Sequence, residues 1–260
     1  MISHIARFRE QLQSGRICLG VGVTFSDPAV TEALCDSVDF VWIDMEHNPM
    51  SAESMMGHLI AARAGGAPAL VRVPCGDVGW IKRVLDSGAE GIILPQARSA
   101  RDVQTFVSSC RYPPLGTRGY GPRRPSNYGR DGGHDYLQRA NRELFVVAQI
   151  ETVGALDEID EIVGIEGLDS VVLGPQDLSG SMGIPGQPRH PDVQDAIRLV
   201  AEKAHDAGLS VGIGMGADVG HACEAVDLGV NWIQCGNDFS YMNCFADRLF
   251  TDIRERLSGE

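Results

Sequence analysis

Lysine is nearly absent from this 260-residue sequence, which has only Lys82 and Lys203 among its 22 basic residues. Imine-forming catalysis requires a lysine amine that faces the substrate. Both lysines fall in stretches with helical periodicity, away from the ends of the predicted strands. We therefore expect no Schiff-base lysine and no organic cofactor.

Positive charge is also scarce overall, because 22 lysines and arginines are set against 35 aspartates and glutamates, for a formal net charge of −13. An acidic surface repels phosphate backbones and anionic lipids, so we exclude general binding to nucleic acid or membrane surfaces. No apolar run reaches the roughly 18 to 20 residues that span a bilayer. Residues 1–16 lack the apolar stretch of a signal peptide.

Paired cysteine motifs are missing too. The seven cysteines are scattered, and none forms the C-x-x-C pair of zinc ribbons or thioredoxin-type sites. We expect reduced thiols in a cytoplasmic protein. The hydrophobic fraction of 43% is ample for a sizeable core and excludes a disordered chain.

Eight short apolar runs recur along the sequence, at residues 18–24, 40–44, 69–73, 91–94, 145–150, 170–173, 210–213 and 232–235. Continuous apolar character is typical of parallel strands covered on both faces, and helical stretches lie between the runs. We predict one domain over residues 1–260, an α/β fold of the single (β/α)8 TIM-barrel type. The alternative is an open doubly wound sheet, but no G-x-G-x-x-G motif follows the first strand.

Two segments depart from this regular alternation. Residues 111–141 are rich in Gly, Pro, Arg and Tyr and predict a long loop, which we expect on the active face because its arginines supply positive charge. Residues 238–257 place Leu249, Phe250, Ile253 and Leu257 on one helical face. That face either packs on its own barrel or docks on a neighbouring subunit.

Polar residues at the carboxyl ends of barrel strands are the default catalytic candidates. Here they are Asp44, Glu46, His47, Arg72, Gln149, Glu151, Gly174, Gln176 and Asp177. Glu151 and Asp177 follow neighbouring strands, where two carboxylates repel each other unless a proton or cation lies between them. They suit Mg²⁺ or Mn²⁺. The alternative is that Asp177 caps a short helix that starts at Leu178.

Three further side chains have predicted roles. His47 lies directly beyond a buried strand and is a candidate general base. Arg72 interrupts an apolar strand and needs an anionic partner, either a substrate group or an internal carboxylate. Asp86 stands in the last turn of a helix, where it opposes the helix dipole, and it either orients His47 or is a solvated acid.

Several blocks of the sequence are familiar in combination. The runs FVWIDMEHNPMS, ALVRVP, IKRVLDSGAEGIILPQARSA, RYPPLGTRGYGP, VAQIET and GPQDLSGSMGIPGQPRHPDV occur in order along nearly the whole chain. Together they resemble the HpcH/HpaI aldolase/citrate lyase family, and within it the metal-dependent class II pyruvate aldolases.

The resemblance implies a role for each matching position. His47 would be the catalytic base, with Asp86 raising its basicity, and Arg72 would stabilise the enolate oxygen. Gln149 would contact the substrate. The metal ligands would be Glu151 and Asp177, and the pyruvate carboxylate would meet Gly174 and the backbone N–H of Gln176.

The implied reaction is the cleavage and formation of 4-hydroxy-2-oxoacids, giving pyruvate and an aldehyde through a metal-stabilised pyruvate enolate. The implied cofactor is a divalent cation, Mg²⁺ or else Mn²⁺ or Co²⁺. The resemblance also implies a homohexamer, a trimer of dimers that exchange the last helix. The alternatives are an acyl-CoA ester lyase of the citrate lyase type and a non-catalytic barrel that serves as a binding protein.

The sequence departs from the family pattern at two positions. Relatives often carry Trp in the first strand, where Val21 stands here, and Ala or Ser where Gln176 stands. We expect both residues to border the substrate and to alter the size of its pocket.

Overall fold

The computed structural model describes residues 4–258, in which eight parallel strands close into a barrel in the order β1 to β8. The strands are β1 Cys18–Val23, β2 Phe40–Asp44, β3 Ala69–Arg72, β4 Gly91–Leu94, β5 Phe145–Ile150, β6 Ser170–Leu173, β7 Ser210–Met215 and β8 Trp232–Asn237. Every predicted strand is present, and the predicted (β/α)8 fold is confirmed.

Helices alternate with the strands around the barrel. They are α1 Ile5–Gln13, α2 Pro28–Leu34, α3 Ala52–Ala64, α4 Val78–Ser87, α5 Ala100–Cys110, α6 Gly133–Glu143, α7 Val153–Asp157, α8 Ile159–Val163, α9 Pro175–Ser181, α10 Pro191–Asp206, α11 Val219–Asp227 and α12 Asp238–Ser258. Local chemistry sets their ends: Ser51 accepts a hydrogen bond from Ser54 N at the start of α3, and Gly88 ends α4 with φ +96°. Among residues 4–258, no helix has the length and apolar character needed to cross a bilayer.

The barrel interior is an apolar plug beneath a polar layer. Phe8 of α1 closes the amino end, where its ring lies edge-on to those of Phe40 and Phe145. Above them, Trp42 and Trp232 pack with ring centroids 6.0 Å apart. Since alternate residues of a strand face the same side, the next inward positions lie at the carboxyl ends of the strands, and there the side chains become polar.

Val21 does not border this interior, contrary to the sequence expectation. It is fully buried among the residues that pack between the strands and the surrounding helices. The inward positions of β1 are Gly20 and Gly22, because successive side chains of a strand point to opposite faces.

The prediction that segment 111–141 lies on the active face is also wrong. The segment follows α5 and precedes β5, so within the chain it lies at the amino ends of the strands, opposite the active face, and it contains most of α6. Arg111 donates to Gly167 O at 2.7 Å and Arg124 to Leu59 O at 3.1 Å. These two arginines therefore bind carbonyl groups away from the active face.

Helix α12 leaves an apolar face uncovered in the single chain. Phe250 is 53% exposed and Leu257 is 82% exposed. The predicted helix is present, but the interpretation that this face packs on its own barrel is wrong.

Candidate active site

The polar layer at the carboxyl ends of the strands gathers most of the predicted site residues. Arg72 is central to it: its Nε donates to Asp44 Oδ1 at 2.9 Å, and its Nη1 lies 3.0 Å from Glu46 Oε2. Its Nη1 also donates to Gln149 Oε1 at 3.5 Å, and its guanidinium lies over the Trp42 ring. Nη2 donates no hydrogen bond within residues 4–258, so one edge of the fork is available to an anion.

The charges around Arg72 fix its protonation. Burial by itself would lower the pKa of Arg72, but the hydrogen bond and charge of Asp44, with the charge of Glu46, raise that pKa overall. An internal ion pair and an available Nη2 coexist, so the two alternatives for Arg72 are not exclusive.

Glu46 is one of the strand-end candidates, but the sequence assigned it no role. Burial raises its pKa, and the charges of Asp44 and Asp177 add to this, while Arg72 and His47 oppose it. Its Oε2 lies 3.7 Å from Nε2 of His47, whose side chain is 60% exposed. Glu46 is two residues beyond Asp44, and that spacing was the available signal, because it places both carboxylates on the same side of the chain.

Glu151 is a buried carboxylate with a full set of donors. Its Oε1 accepts from Gln96 N at 2.7 Å and from Gln96 Nε2 at 3.1 Å, and its Oε2 accepts from Gln149 Nε2 at 2.5 Å. Burial raises the pKa of Glu151 to about 7, the Gln96 N–H opposes this, and the charges of Glu46 and Asp177 add to it. Gln96 was missed because its role depends on a left-handed backbone, with φ +51°, which no sequence pattern announced.

Asp177 lies in the first turn of α9, which begins at Pro175 rather than at Leu178. The N-cap position is Gly174, so the helix-capping alternative for Asp177 is wrong. Its carboxylate has no hydrogen bond or ion pair within residues 4–258. Its charge contributes to the raised pKa of both Glu46 and Glu151, which places the three carboxylates in one electrostatic neighbourhood.

Two smaller positions complete the acidic corner. A Cβ at Gly174 would lie 2.4 Å from Glu151 Oε2, so only glycine leaves room for that carboxylate. The backbone N–H of Gln176, in the first turn of α9, has no acceptor within the helix. The Gln176 side chain is exposed.

Asp86 is not brought to His47 within the single chain. It stands in the last turn of α4, and this ten-residue helix runs back along the barrel by about 15 Å. There Arg118 Nη2 donates to Asp86 Oδ1 at 2.9 Å. Asp86 is therefore neither beside His47 nor a solvated acid.

The chemistry of the carboxylates shows whether a divalent cation would fit among them. Within residues 4–258, no group of three His, Cys, Asp or Glu side chains is arranged to hold a metal by itself. Glu151 and Asp177 offer only oxygen donors, as hard divalent cations prefer, and would leave coordination positions for other oxygens. A raised carboxyl pKa beside a second acid also means that a cation would relieve their repulsion. The residues present fit such an ion.

The chain is similar to known proteins in both sequence and fold. The family model described as HpcH/HpaI aldolase/citrate lyase matches residues 23–243. The chain is 33% identical to a hydroxypyruvate/pyruvate aldolase from Pseudomonas aeruginosa, over 98% of this chain and 94% of that one. It is 37% identical to a 4-hydroxy-2-oxovalerate aldolase from Rhodococcus jostii, over 82% and 83%. A family structure from Burkholderia cenocepacia superposes with a TM-score of 0.89 at 30% identity, over 95% and 99%.

Proposed function

Because the chain belongs to the HpcH/HpaI aldolase/citrate lyase family, we propose that it is a divalent-metal-dependent aldolase that cleaves and forms 4-hydroxy-2-oxoacids, with pyruvate and an aldehyde as the cleavage products. Lyase activity is supported by relatives of about 33% identity that are named aldolases. The observation that carries the proposal is the single cluster of Arg72, Glu46 and His47 beside Glu151 and Asp177. The acyl-CoA ester lyase alternative is less supported, because these relatives are aldolases.

Glu151 and Asp177 would hold the cation, which would be Mg²⁺, Mn²⁺ or Co²⁺. When bound, such an ion supplies Lewis-acid stabilisation of negative charge on the substrate's oxygens. The Gln96 donors hold Glu151 Oε1, and this contact fixes the orientation of the carboxylate. Gly174 and the N–H of Gln176 would meet the pyruvate carboxylate.

Arg72 would stabilise the enolate oxygen through Nη2. Asp44 and Glu46 fix the guanidinium plane before substrate arrives, so little reorganisation remains when charge develops on the oxygen. Gln149 contacts both Arg72 and Glu151, and these contacts would hold the two side chains in fixed positions on the substrate side.

His47 would act as the base. In cleavage it takes the proton of the C4 hydroxyl, the C3–C4 bond breaks, and its electron pair passes toward C2 as the aldehyde leaves. A proton then returns to C3 of the enolate to give pyruvate. Asp86 can contact this histidine only if a second copy of the chain brings it there.

The uncovered face of α12 supports an assembly of several copies. We propose a homo-oligomer, a hexamer built as a trimer of dimers in which the last helix is exchanged between partners. The exposed Phe245, Phe250 and Ile253 would then be buried against a second barrel.

Exchange of the C3 protons of pyruvate in D₂O tests the metal-dependent enolate. We expect chelator-treated protein to lose exchange and Mg²⁺, Mn²⁺ or Co²⁺ to restore it, as followed by NMR. Full exchange by rigorously metal-free protein would overturn the metal role. Separately, near-normal cleavage of a 4-hydroxy-2-oxoacid by His47→Ala would remove His47 as the base.

A further inference from the structure

The first strand contributes no side chain at Gly22, its inward position near the mouth of the barrel. A Cβ on Gly22 would lie 2.0 Å from Asn237 Oδ1 and 2.9 Å from Gln234 Nε2. The space that a side chain of β1 would fill is therefore occupied by two amide side chains from β8. We call Gln234 and Asn237 the amide wall.

The amide wall stands in the same polar layer as the proposed catalytic groups. Gln234 is two residues beyond Trp232, and Gly22 is paired with Trp42, the ring beneath the guanidinium of Arg72. On the other side, a Cβ at Gly214 of β7 would lie 3.3 Å from Gln234 Oε1. Glycines on both neighbouring strands thus leave the amide wall facing the mouth.

The hydrogen bonds of the amide wall leave one acceptor and one donor group without a partner among the described residues. Gln234 Nε2 donates to Gly236 O at 2.5 Å and to Asn237 Oδ1 at 3.3 Å. Gln234 Oε1 and Asn237 Nδ2 make no hydrogen bond within residues 4–258. Gln234 is only 8% exposed, so its amide is largely removed from bulk water. Polar groups in such a place favour a ligand that completes their hydrogen bonds.

A hydroxyl group is the smallest partner that both donates and accepts a hydrogen bond. We propose that the amide wall selects a hydroxyl-bearing aldehyde as the partner of pyruvate, with Gln234 and Asn237 as the specificity-determining residues. This inference rests on the proposed aldolase function and adds the substrate class. An alkyl aldehyde of the same size would leave the amide groups unpaired.

The test compares two aldehydes of equal heavy-atom count, glycolaldehyde and propionaldehyde, each condensed with pyruvate. The measured quantity is the ratio of their kcat/KM values in the unaltered protein, in Gln234→Met and in Asn237→Leu. Loss of one neutral hydrogen bond is expected to lower this ratio about 5- to 10-fold in each variant. Because every ratio uses the same two aldehydes, their intrinsic reactivities cancel when the proteins are compared. Gln104→Met, on the exposed face of α5, is the matched control.

Circular dichroism and thermal melting identify the folded variants, and the two substitutions are scored independently. An unchanged ratio in the folded variants would overturn the inference while pyruvate exchange by the unaltered protein still supports the aldolase. No preference for glycolaldehyde in the unaltered protein would overturn it as well. Absence of pyruvate exchange in the metal-loaded, unaltered protein would overturn the aldolase function and this inference with it.

Discussion

The proposed role of Arg72 depends on the planar fork of its guanidinium more than on its charge. Two carboxylates occupy Nε and Nη1, and only the geometry of the guanidinium leaves Nη2 directed elsewhere. We expect Arg72→Lys to fold but to lose about 10²- to 10³-fold in the rate of aldol cleavage, because one stabilising contact to the developing oxyanion is lost.

Steady-state kinetics with a 4-hydroxy-2-oxoacid would measure this loss. Arg198→Lys is the control, since Arg198 is an exposed residue of α10 that pairs with Asp195. A rate for Arg72→Lys within a few-fold of the unaltered protein would contradict the role of Nη2.

The proposed binding of a cation by Glu151 would depend on pH. Its pKa of about 7 means that a proton competes with the cation at low pH. From that value we expect Mn²⁺ to bind about 30-fold more weakly at pH 5.5 than at pH 8, as measured by calorimetric titration. Glu151→Gln should bind weakly at both pH values.

The same raised pKa has a cost for the metal-free protein. The folded state keeps a proton that the unfolded chain releases near its ordinary pKa, so stability falls as pH rises from about 4.5 to 7. Thermal melting should show the largest stabilisation by Mn²⁺ above pH 7. Equal stabilisation at pH 5.5 and 8 would contradict the titration assigned to Glu151.

Individual residues were predictable from the sequence where one rule sufficed. Polar residues that end barrel strands gave His47, Arg72 and Glu151 as candidates that the barrel places together at its mouth. The assignment of Val21 failed by one position, because β1 reads Gly-Val-Gly-Val and is buried on both faces. Alternation without a polar face does not fix which side is inward.

Helices α2 and α3 share a buried polar contact beneath the β1–α2 connection. His58 and Thr31 are both fully buried, and His58 Nδ1 lies 2.8 Å from Thr31 Oγ1. Burial lowers the pKa of His58, although Asp238 and Asp27 oppose this. The pair therefore joins the two helices while its imidazole stays neutral.

Acid is expected to weaken this joint. The unfolded chain takes up the His58 proton near pH 6.5, whereas the folded chain does so only at lower pH, so stability is lost as pH falls below about 6.5. The slope is at most about 1.4 kcal/mol per pH unit. Urea unfolding at pH 7.5 and 5.5 measures it. Glu151 contributes a slope of opposite sign in every variant, so the comparison between proteins isolates His58: going from pH 7.5 to 5.5 should destabilise His58→Gln less than the unaltered protein, whereas the exposed His134→Gln should match the unaltered protein.

Whole elements were predictable where periodicity and caps agreed, as in all eight strands and in α4 between Asp77 and Gly88. The location of the arginine-rich segment was not, because composition does not say which end of a barrel a loop occupies. Its position after α5 does. Within one chain the same topology separates Asp86 from His47. The helix that follows a strand runs back along the barrel, so its last turn lies near the amino ends of the strands, whereas His47 follows a carboxyl end.

Helix α12 exposes several large apolar side chains when the chain is considered alone. Phe245 is 59% exposed and Met242 is 56% exposed on this helix. We expect Phe245→Asp to shift the assembly to smaller species, because a charge would be buried at the interface.

Sedimentation velocity gives the species, and Asp252→Asn on the same helix is the control. Sedimentation of the unaltered protein as a monomer at micromolar concentration would contradict the proposed assembly. Retained circular dichroism in Phe245→Asp would show that the loss is one of association and not of folding.

The tryptophans beneath the polar layer give the protein an optical reporter of its own. The chain has three tryptophans, and two of them, Trp42 and Trp232, are packed against each other inside the barrel. Trp42 lies 5.3 Å below the guanidinium of Arg72. An anion that engages Arg72 changes the field at the indole, so occupancy can be followed through ultraviolet emission with no label attached.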